Sequence, residues 1–205
     1  MSNSQNNKSL AELPAAPEYK VNLKSFAFWR DTFLIYWVFS FIGHLMEYVW
    51  LFTLAQFGAP EDPTRIPFFV IAAPYGLGAL AILWFIYPQI QKRNLKIFDT
   101  FVLCAIVATV VEFLCAIAII LVLGSNPYWD YSDQPLNLLG QVCLRNSLAF
   151  GVASIGFIYI VYPYYDKLMK KLGSFRINSI FWFLFITYFL LQIGRFFYGD
   201  LALTV

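Results

Sequence analysis

Five apolar stretches, each long enough to cross a lipid bilayer, constrain this chain more than any other feature of its sequence. A helix needs about 20 predominantly apolar residues to span the hydrocarbon core. Helices are required because unpaired backbone groups are not tolerated against lipid, and the stretches lack the alternating pattern of a β-barrel. The sequence therefore predicts an all-α, polytopic membrane helix bundle with five transmembrane helices. The predicted spans are Asp31–Phe57, Pro67–Tyr87, Asp99–Leu123, Asn146–Tyr164 and Asn178–Tyr198.

The composition supports this fold class and excludes others. Apolar residues make up 60% of the 205 residues and charged residues only 13%, whereas a soluble domain carries about 25% charged residues. A soluble enzyme, a disordered chain and a disulfide-stapled secreted module are excluded on this ground. The net charge of +2 gives no basis for a nucleic-acid partner. Cys104, Cys115 and Cys143 have neither CxxC nor zinc-ligand spacing, so we interpret them as structural thiols.

The sequence carries none of the familiar catalytic motifs. It has no nucleotide-binding P-loop, no serine-hydrolase elbow and no zinc-protease pair of histidines. His44 and Glu47 have a spacing that holds metal in helix bundles, but such sites use two such pairs and further glutamates. We therefore expect no enzyme activity of these kinds, no cofactor and no metal. No internal repeat of fixed period is evident.

The distribution of Lys and Arg predicts the orientation in the membrane, because cytoplasmic connections are enriched in these residues. Most of the 14 lie in the N-terminal tail and after the second and fourth stretches. We expect the N-terminus inside and the C-terminus outside, in the plasma membrane of a bacterium. Residues 1–24 are predicted to be a flexible cytoplasmic tail, and residues 25–205 a single transmembrane domain that begins with an interfacial segment at Phe26–Arg30.

The connection between the third and fourth spans, Gly124–Arg145, is unusual in its length. Helix connections in bundles commonly have about 2–8 residues, and longer ones are either functional or disordered. Trp129, Tyr131 and the run Leu136–Leu139 provide apolar anchors within this polar segment. The sequence therefore predicts a long, ordered loop on the outer side.

Ionisable residues inside the predicted spans are the strongest indication of function, because a charge at the bilayer centre costs about 2.5–3.5 kcal/mol on insertion scales. With the predicted orientation, all of them fall in the outer half of the bundle. Two interpretations stay open. One is an ion-pair network that fixes helix packing, and the other is a polar cavity open to the outside, with Trp129–Asp133 as its lid. The layer consists of Glu47, Glu112, Arg145 and Arg195, with His44 and Gln192 beside them.

Several runs of the sequence resemble one known family. Glu112-Phe113-Leu114 and the run Tyr128–Asn137 (YWDYSDQPLN) carry most of the similarity, and Ser40–Gly43 and Pro74–Gly76 extend it to the first two spans. These runs are similar to the ABC-transporter permease family (CmpB-like, type IV), over residues 35–170. The resemblance implies an integral membrane protein that serves as, or with, the membrane part of a transporter.

These observations lead to one principal hypothesis, a non-enzymatic component of a transport system that binds a polar or amphipathic solute in an outward-facing cavity. Glutamates would accept hydrogen bonds, arginines would bind an anionic group, and the outer loop would close over the solute. The alternatives are a membrane enzyme acting on a lipid headgroup and a membrane interaction scaffold. The candidate solute-binding residues are Glu47, Glu112, Arg145, Arg195, Trp129, Asp130, Tyr131, Asn137 and His44.

The expected partners follow from the same hypothesis. Membrane lipids would surround the bundle, and its small size favours association with a second copy or another subunit. If ATP drives transport, a separate nucleotide-binding ATPase subunit would be needed, since the chain has no P-loop of its own. Its predicted docking sites are the basic segments Lys92–Lys96 and Lys167–Arg176.

Overall fold

The computed structural model describes residues 21–57 and 73–198, apart from the side chains of residues 54, 55 and 195–198. These described residues are mostly helical (82%). Two short stretches of π-helix, Ile82–Ile86 and Phe157–Val161, interrupt the α-helical pattern. The α-helices are α1 (Phe26–Gln56), α2 (Ala73–Ala81), α3 (Tyr87–Arg93), α4 (Ile97–Leu123), α5 (Leu144–Gly156) and α6 (Tyr162–Tyr198), and the strands are β1 (Asn137–Leu138) and β2 (Val142–Cys143).

Four helical stretches within the described residues are long and apolar enough to cross a membrane, where the sequence predicts five spans. The third predicted span is confirmed as α4, which ends at Gly124 in the left-handed conformation. The other three stretches are Phe26–Thr53, Ala73–Arg93 and Leu144–Gly194. Predicted positions 67–72 lie outside the described residues.

The last of these stretches covers two predicted spans. At 51 residues and 1.5 Å per residue it measures about 75 Å, far more than the hydrocarbon core of about 30 Å. Gly173 interrupts it with φ 74° and ψ 159°, a backbone conformation that is not helical. Such positive φ values are inexpensive only for glycine, which lacks a Cβ atom. The stretch is therefore two helical segments joined at Gly173.

The second predicted span differs from the structure at its end. The sequence predicts that Pro88 ends the helix, but the helix continues to Arg93. Proline has no backbone N–H to donate to the carbonyl one turn earlier. The π-helical turn absorbs this loss, because the Tyr87 N–H donates to the Ile82 carbonyl instead. The proline thus shifts the hydrogen-bond register without breaking the helix.

The structure divides into two compact units, which we describe separately. Of the described residues, one unit comprises 22–57, 73–80 and 172–198, and its core is aromatic. Phe33 of α1 packs edge-on against Phe181 and Phe185 of α6, with ring centroids 5.4 Å apart in each pair. Nearby, the buried Arg30 guanidinium donates to Asp31 at 2.7 Å and to Asn178 at 2.8 Å. The sequence predicts only an interfacial segment at Phe26–Arg30, whereas in the structure Arg30 ties α1 to α6.

Two glycines bring α1 and α2 together within this unit. A Cβ atom at Gly43 would collide with the ring of Tyr75, and one at Gly76 would collide with Ser40 and with the backbone carbonyl of Tyr36. The two helices therefore approach to backbone contact at these positions, as small residues permit in membrane proteins.

The other unit comprises residues 81–171 of the described chain, and α4 and α5 form its main contact. Gly151 of α5 lies against Phe101 and Ala105 of α4, where a Cβ atom would come within 2.6 Å of the Phe101 ring. One helix contact is polar, since the Thr109 hydroxyl donates to Ser147 at 2.7 Å. Tyr87 and Tyr162 pack edge to face, with ring centroids 5.3 Å apart.

The long connection between α4 and α5 folds into a short antiparallel hairpin. Asn137 pairs with Cys143 and Leu138 with Val142. Leu139 and Gly140 form the turn in the left-handed conformation, with φ 55° and 67°. The segment is therefore an organised loop packed on the end of α4, which positions the residues of the candidate site.

Replacing Gly76 by alanine tests the close approach of α1 and α2. We expect a loss of about 1–3 kcal/mol in the free energy of unfolding, because the added methyl group overpacks against a rigid backbone carbonyl. Gly78 is the matched control, since a Cβ atom there would meet nothing within 4 Å. Gly78→Ala should be neutral or stabilise by up to about 1 kcal/mol through helix propensity. Thermal unfolding in detergent measures both variants, and equal stability for the two would contradict this packing.

Candidate functional site

Glu112 is the most deeply placed acidic residue of the described chain, near the middle of the apolar helix α4. It is only 5% exposed. Tyr131, in the loop after α4, donates its hydroxyl hydrogen bond to Glu112 Oε1 at 3.2 Å. The sequence analysis named both residues, and the structure brings them together. A carboxylate in an apolar helix needs such a donor, because burying an uncompensated charge is costly.

The loop that carries Tyr131 is held by its own hydrogen bonds. The Tyr131 backbone N–H donates to the Gly140 carbonyl at 2.7 Å, and the Trp129 indole donates to the Gln141 carbonyl at 3.0 Å. Asn137 donates to the Gln134 carbonyl at 2.8 Å and accepts from the Gly140 N–H at 3.0 Å. These residues position the loop, and each of the predicted residues Trp129, Tyr131 and Asn137 has a defined structural partner.

Asp130 closes a turn within the same loop. Its Oδ1 accepts hydrogen bonds from the Ser132 hydroxyl at 2.6 Å and from the Ser132 backbone N–H at 2.9 Å. These bonds favour the charged form of the exposed carboxyl group and lower its pKa below the usual 3.8. Gly140 packs against this turn, where a Cβ atom would lie 2.7 Å from Asp130 Oδ1. Asp130 therefore organises the loop around Tyr131.

Glu47 forms a second carboxylate–phenol pair, in the other unit. The Tyr75 hydroxyl of α2 donates to Glu47 Oε1 of α1 at 2.5 Å. On the same face of α1, His44 is 1% exposed and Ser40 is fully buried. The Ser40 hydroxyl has no hydrogen-bond partner among the residues that the structure describes. In the sequence, Tyr75 stands out only as part of the run Pro74–Gly76 that resembles the family, because nothing local indicates which carboxylate it binds.

The two predicted arginines lie near helix ends. Arg145 is exposed at the start of α5. Arg195 lies in the last turns of α6, but its side chain is outside the described part of the structure. The ion pairs Arg30–Asp31 and Lys170–Asp166 both lie outside the predicted polar layer. The structure thus gives the surroundings of each glutamate within its own unit, and a single charged layer stays a prediction.

A metal centre finds no support within the described residues, where no three His, Cys, Asp or Glu side chains are grouped together. The two glutamate–tyrosine pairs, at Glu47 and at Glu112, instead offer carboxylate and phenol oxygen atoms, which can hold a proton or accept hydrogen bonds from a ligand.

Comparison with known proteins gives one family. The family model described as "Putative ABC-transporter type IV" matches residues 34–194, which include both glutamate–tyrosine pairs and the loop. No curated protein and no solved structure matches the chain.

Replacing Tyr131 by phenylalanine tests the link between loop and helix. The change removes only the hydroxyl group that binds Glu112, so the loop should open more easily by about 1.5–3 kcal/mol, as for other hydrogen bonds to charged groups. Hydrogen exchange of the amides of residues 128–143 measures this opening. Tyr128→Phe is the control, since Tyr128 is 60% exposed. Unchanged exchange in the Tyr131 variant would contradict the proposed link.

Acidification should loosen the same loop through Asp130. Because the folded state lowers the pKa of this carboxyl group below 3.8, its contribution to loop stability is fully present above that pH. The contribution is lost as the pH falls through the folded-state pKa. Trp129 fluorescence during acid titration reports the transition. Asp130→Asn should remove it and Asp133→Asn should leave it in place; a transition that persists in Asp130→Asn would assign it to another group.

Proposed function

Because the chain belongs to the ABC-transporter type IV family, we propose that it is the solute-binding membrane subunit of a transport system. The family match and the apolar helices together indicate a multi-pass membrane protein with a role in transport. The single observation that carries the proposal further is the Glu112–Tyr131 hydrogen bond. It links a carboxylate inside an apolar helix to a loop outside it, and ionisable residues in spans usually mark a solute or ion pathway.

The proposed topology has five spans, with the N-terminus in the cytoplasm and the C-terminus outside. The break at Gly173 supports the fifth span, because residues 144–172 and 174–198 are each long enough to cross the bilayer. Basic residues around α3 and around Gly173 support a cytoplasmic position for both of these turns. The loop with the β-hairpin then lies outside the cell.

The proposed solute is polar or amphipathic and enters from the outside. Glu47, Glu112 and His44 supply acceptor and proton-holding groups, while Arg145 and Arg195 bind an anionic group. Trp129, Asp130 and Tyr131 form a lid whose closed geometry Asn137 supports through the turn at Gly140. A short lid with its own hydrogen bonds can open as a unit, and breaking the Tyr131–Glu112 bond would release it.

ATP hydrolysis, in this proposal, belongs to a separate subunit. ABC transporters require a nucleotide-binding ATPase. Because this chain has no P-loop, that ATPase would be a separate subunit. Lys92 and Arg93, in the last turn of α3, and the exposed Lys167, Lys170 and Lys171 of α6 form the basic docking surface.

Purification of the tagged protein from its native membrane in mild detergent tests this proposal, with mass spectrometry of retained proteins and small molecules. We expect an ATPase subunit in stoichiometric amount, and several-fold less of it with Lys92→Glu or Lys167→Glu. Lys24→Glu is the matched control, since it reverses a charge outside the docking surface. Recovery of the protein alone, or with lipid alone, would contradict the transporter subunit and favour the lipid-headgroup enzyme or the scaffold.

A further inference from the structure

Two segments of the chain share an unexpected series of structural features. Each has a long apolar helix, a connection, and a shorter helix that passes into a five-residue π-helical turn. In each, a Tyr-Pro pair follows the π-helical turn, at Tyr87-Pro88 and at Tyr162-Pro163. The tyrosine N–H donates to the first residue of that turn in both cases, to Ile82 and to Phe157. Basic residues come next, in α3 and in α6.

The sequences of the two shorter helices correspond at one constant spacing. Aligning the Tyr-Pro pairs also aligns the two glycines that face the preceding long helix, and a lysine beyond the proline. Between the glycine and the tyrosine of each helix the residues are small, aliphatic or aromatic. The identical pairs are Gly76 and Gly151, Tyr87 and Tyr162, Pro88 and Pro163, and Lys92 and Lys167.

The packing of the glycines shows that the long helices correspond as well. Gly76 lies against Tyr36 and Ser40, which are one turn apart on α1, and Gly151 lies against Phe101 and Ala105, which are one turn apart on α4. An aromatic residue followed one turn later by a small residue thus receives the glycine in both segments. The contacts fix the alignment of α1 with α4 independently of sequence similarity.

This alignment places Glu47 and Glu112 at the same position. Each lies two turns beyond the small residue that contacts the glycine, and each accepts a hydrogen bond from a tyrosine hydroxyl. The residues around them differ, since His44 corresponds to Thr109. The position of Arg145 corresponds to Val70 on the spacing of the shorter helices. The acidic residue is therefore what corresponds in both segments, whereas its phenol donor comes from the shorter helix in the first, where Tyr75 corresponds to Phe150, and from the connection in the second.

No repeat is evident in the sequence, because the connection between the long and the shorter helix differs in length between the two segments. The spacing between corresponding residues of α1 and α4 differs from that between α2 and α5, so no single period relates the two segments. The structure removes this difficulty, because helix contacts align the segments element by element.

We infer that the chain is an internal duplication, residues 26–93 and 97–171, and that each copy carries one equivalent binding position for a cationic group of the solute or for a co-transported cation. A carboxylate lies at the corresponding position of both apolar helices, and ionisable residues within membrane spans mark solute and ion pathways. The negative charge of a carboxylate favours a positive ligand. The Tyr75 hydroxyl adds an oxygen atom beside Glu47, and the Tyr131 hydroxyl adds one beside Glu112. Oxygen ligands suit both alkali cations and ammonium groups. This inference rests on the proposed transport function and defines the ligand of that same site.

Both positions would face the same side of the membrane. Each copy has two spans in the proposed topology, so α1 and α4 begin on the same side and run in the same direction. Parallel repeats of this kind occur in established transporters, where solute and ion sites are built from corresponding elements of the repeats.

Equilibrium binding of radiolabelled sodium, rubidium and methylammonium ions to the purified protein in lipid nanodiscs tests this inference. We expect saturable binding of at least one of these ions, and which ion binds distinguishes an alkali cation from an ammonium group. Glu47→Gln and Glu112→Gln should each remove one of the two binding positions and so lower the number of ions bound per protein, and the double variant should abolish saturable binding. Tyr75→Phe and Tyr131→Phe should weaken it less.

Asp99→Asn is the matched control, because Asp99 lies on α4 but corresponds to Leu34 and has no acidic counterpart in the first copy. It should bind as the unaltered protein does. Thermal unfolding identifies variants that are misfolded, and these are replaced by Glu→Asp substitutions, which keep the charge. Absence of saturable binding of all three ions, or binding unaffected in both glutamine variants, would overturn the inference. An ATPase that still co-purifies in that case would leave the transport function standing.

Discussion

A carboxylate inside an apolar helix requires a hydrogen-bond donor, and this requirement organises the part of the molecule that matters for function. Glu112 lies on α4, whose neighbouring positions are almost entirely apolar. The donor comes from Tyr131, outside the helix. The loop can present Tyr131 only if its backbone is fixed, which explains the dense hydrogen bonding around Asp130 and Gly140. The Glu112 carboxylate on α4 therefore depends on Tyr131, and the position of Tyr131 depends on the turn at Asp130 and Gly140.

The same requirement is met differently at Glu47. Its donor, Tyr75, comes from the neighbouring helix α2 and is brought within reach by the contact between Gly43 and the tyrosine ring. The glycine contact between the two helices thus positions the donor for the half-buried Glu47 carboxylate. The Glu47–Tyr75 hydrogen bond therefore depends on the close approach of α1 and α2.

Much of the fold could be predicted from local sequence, because apolar length and proline or glycine punctuation are local properties. The helix α4 and its end at Gly124 follow in this way. The helix end predicted at Pro88 was wrong, because a π-helical turn accommodates this proline within the helix. The hairpin was not predicted, because Leu136 and Leu139 adopt positive φ, which leucine rarely does.

The candidate site was predicted as a set of residues but not as pairs. Glu47 and Glu112 were identified because charge in an apolar stretch is visible in the sequence. Their partners Tyr75 and Tyr131 lie on other elements, and sequence patterns do not encode such long-range contacts. For the same reason the buried pairing of Arg30 with Asn178 could not be foreseen.

The most direct test of the account is the side of the membrane on which the loop lies, because an outward-facing site depends on it. In a protein whose native cysteines are replaced by serine, a single cysteine is introduced at Asp133→Cys or at Ser174→Cys, both at exposed positions. The account predicts that a membrane-impermeant maleimide labels Asp133→Cys on intact cells, and labels Ser174→Cys only after permeabilisation. The reverse pattern would place the loop in the cytoplasm and contradict the outward-facing site.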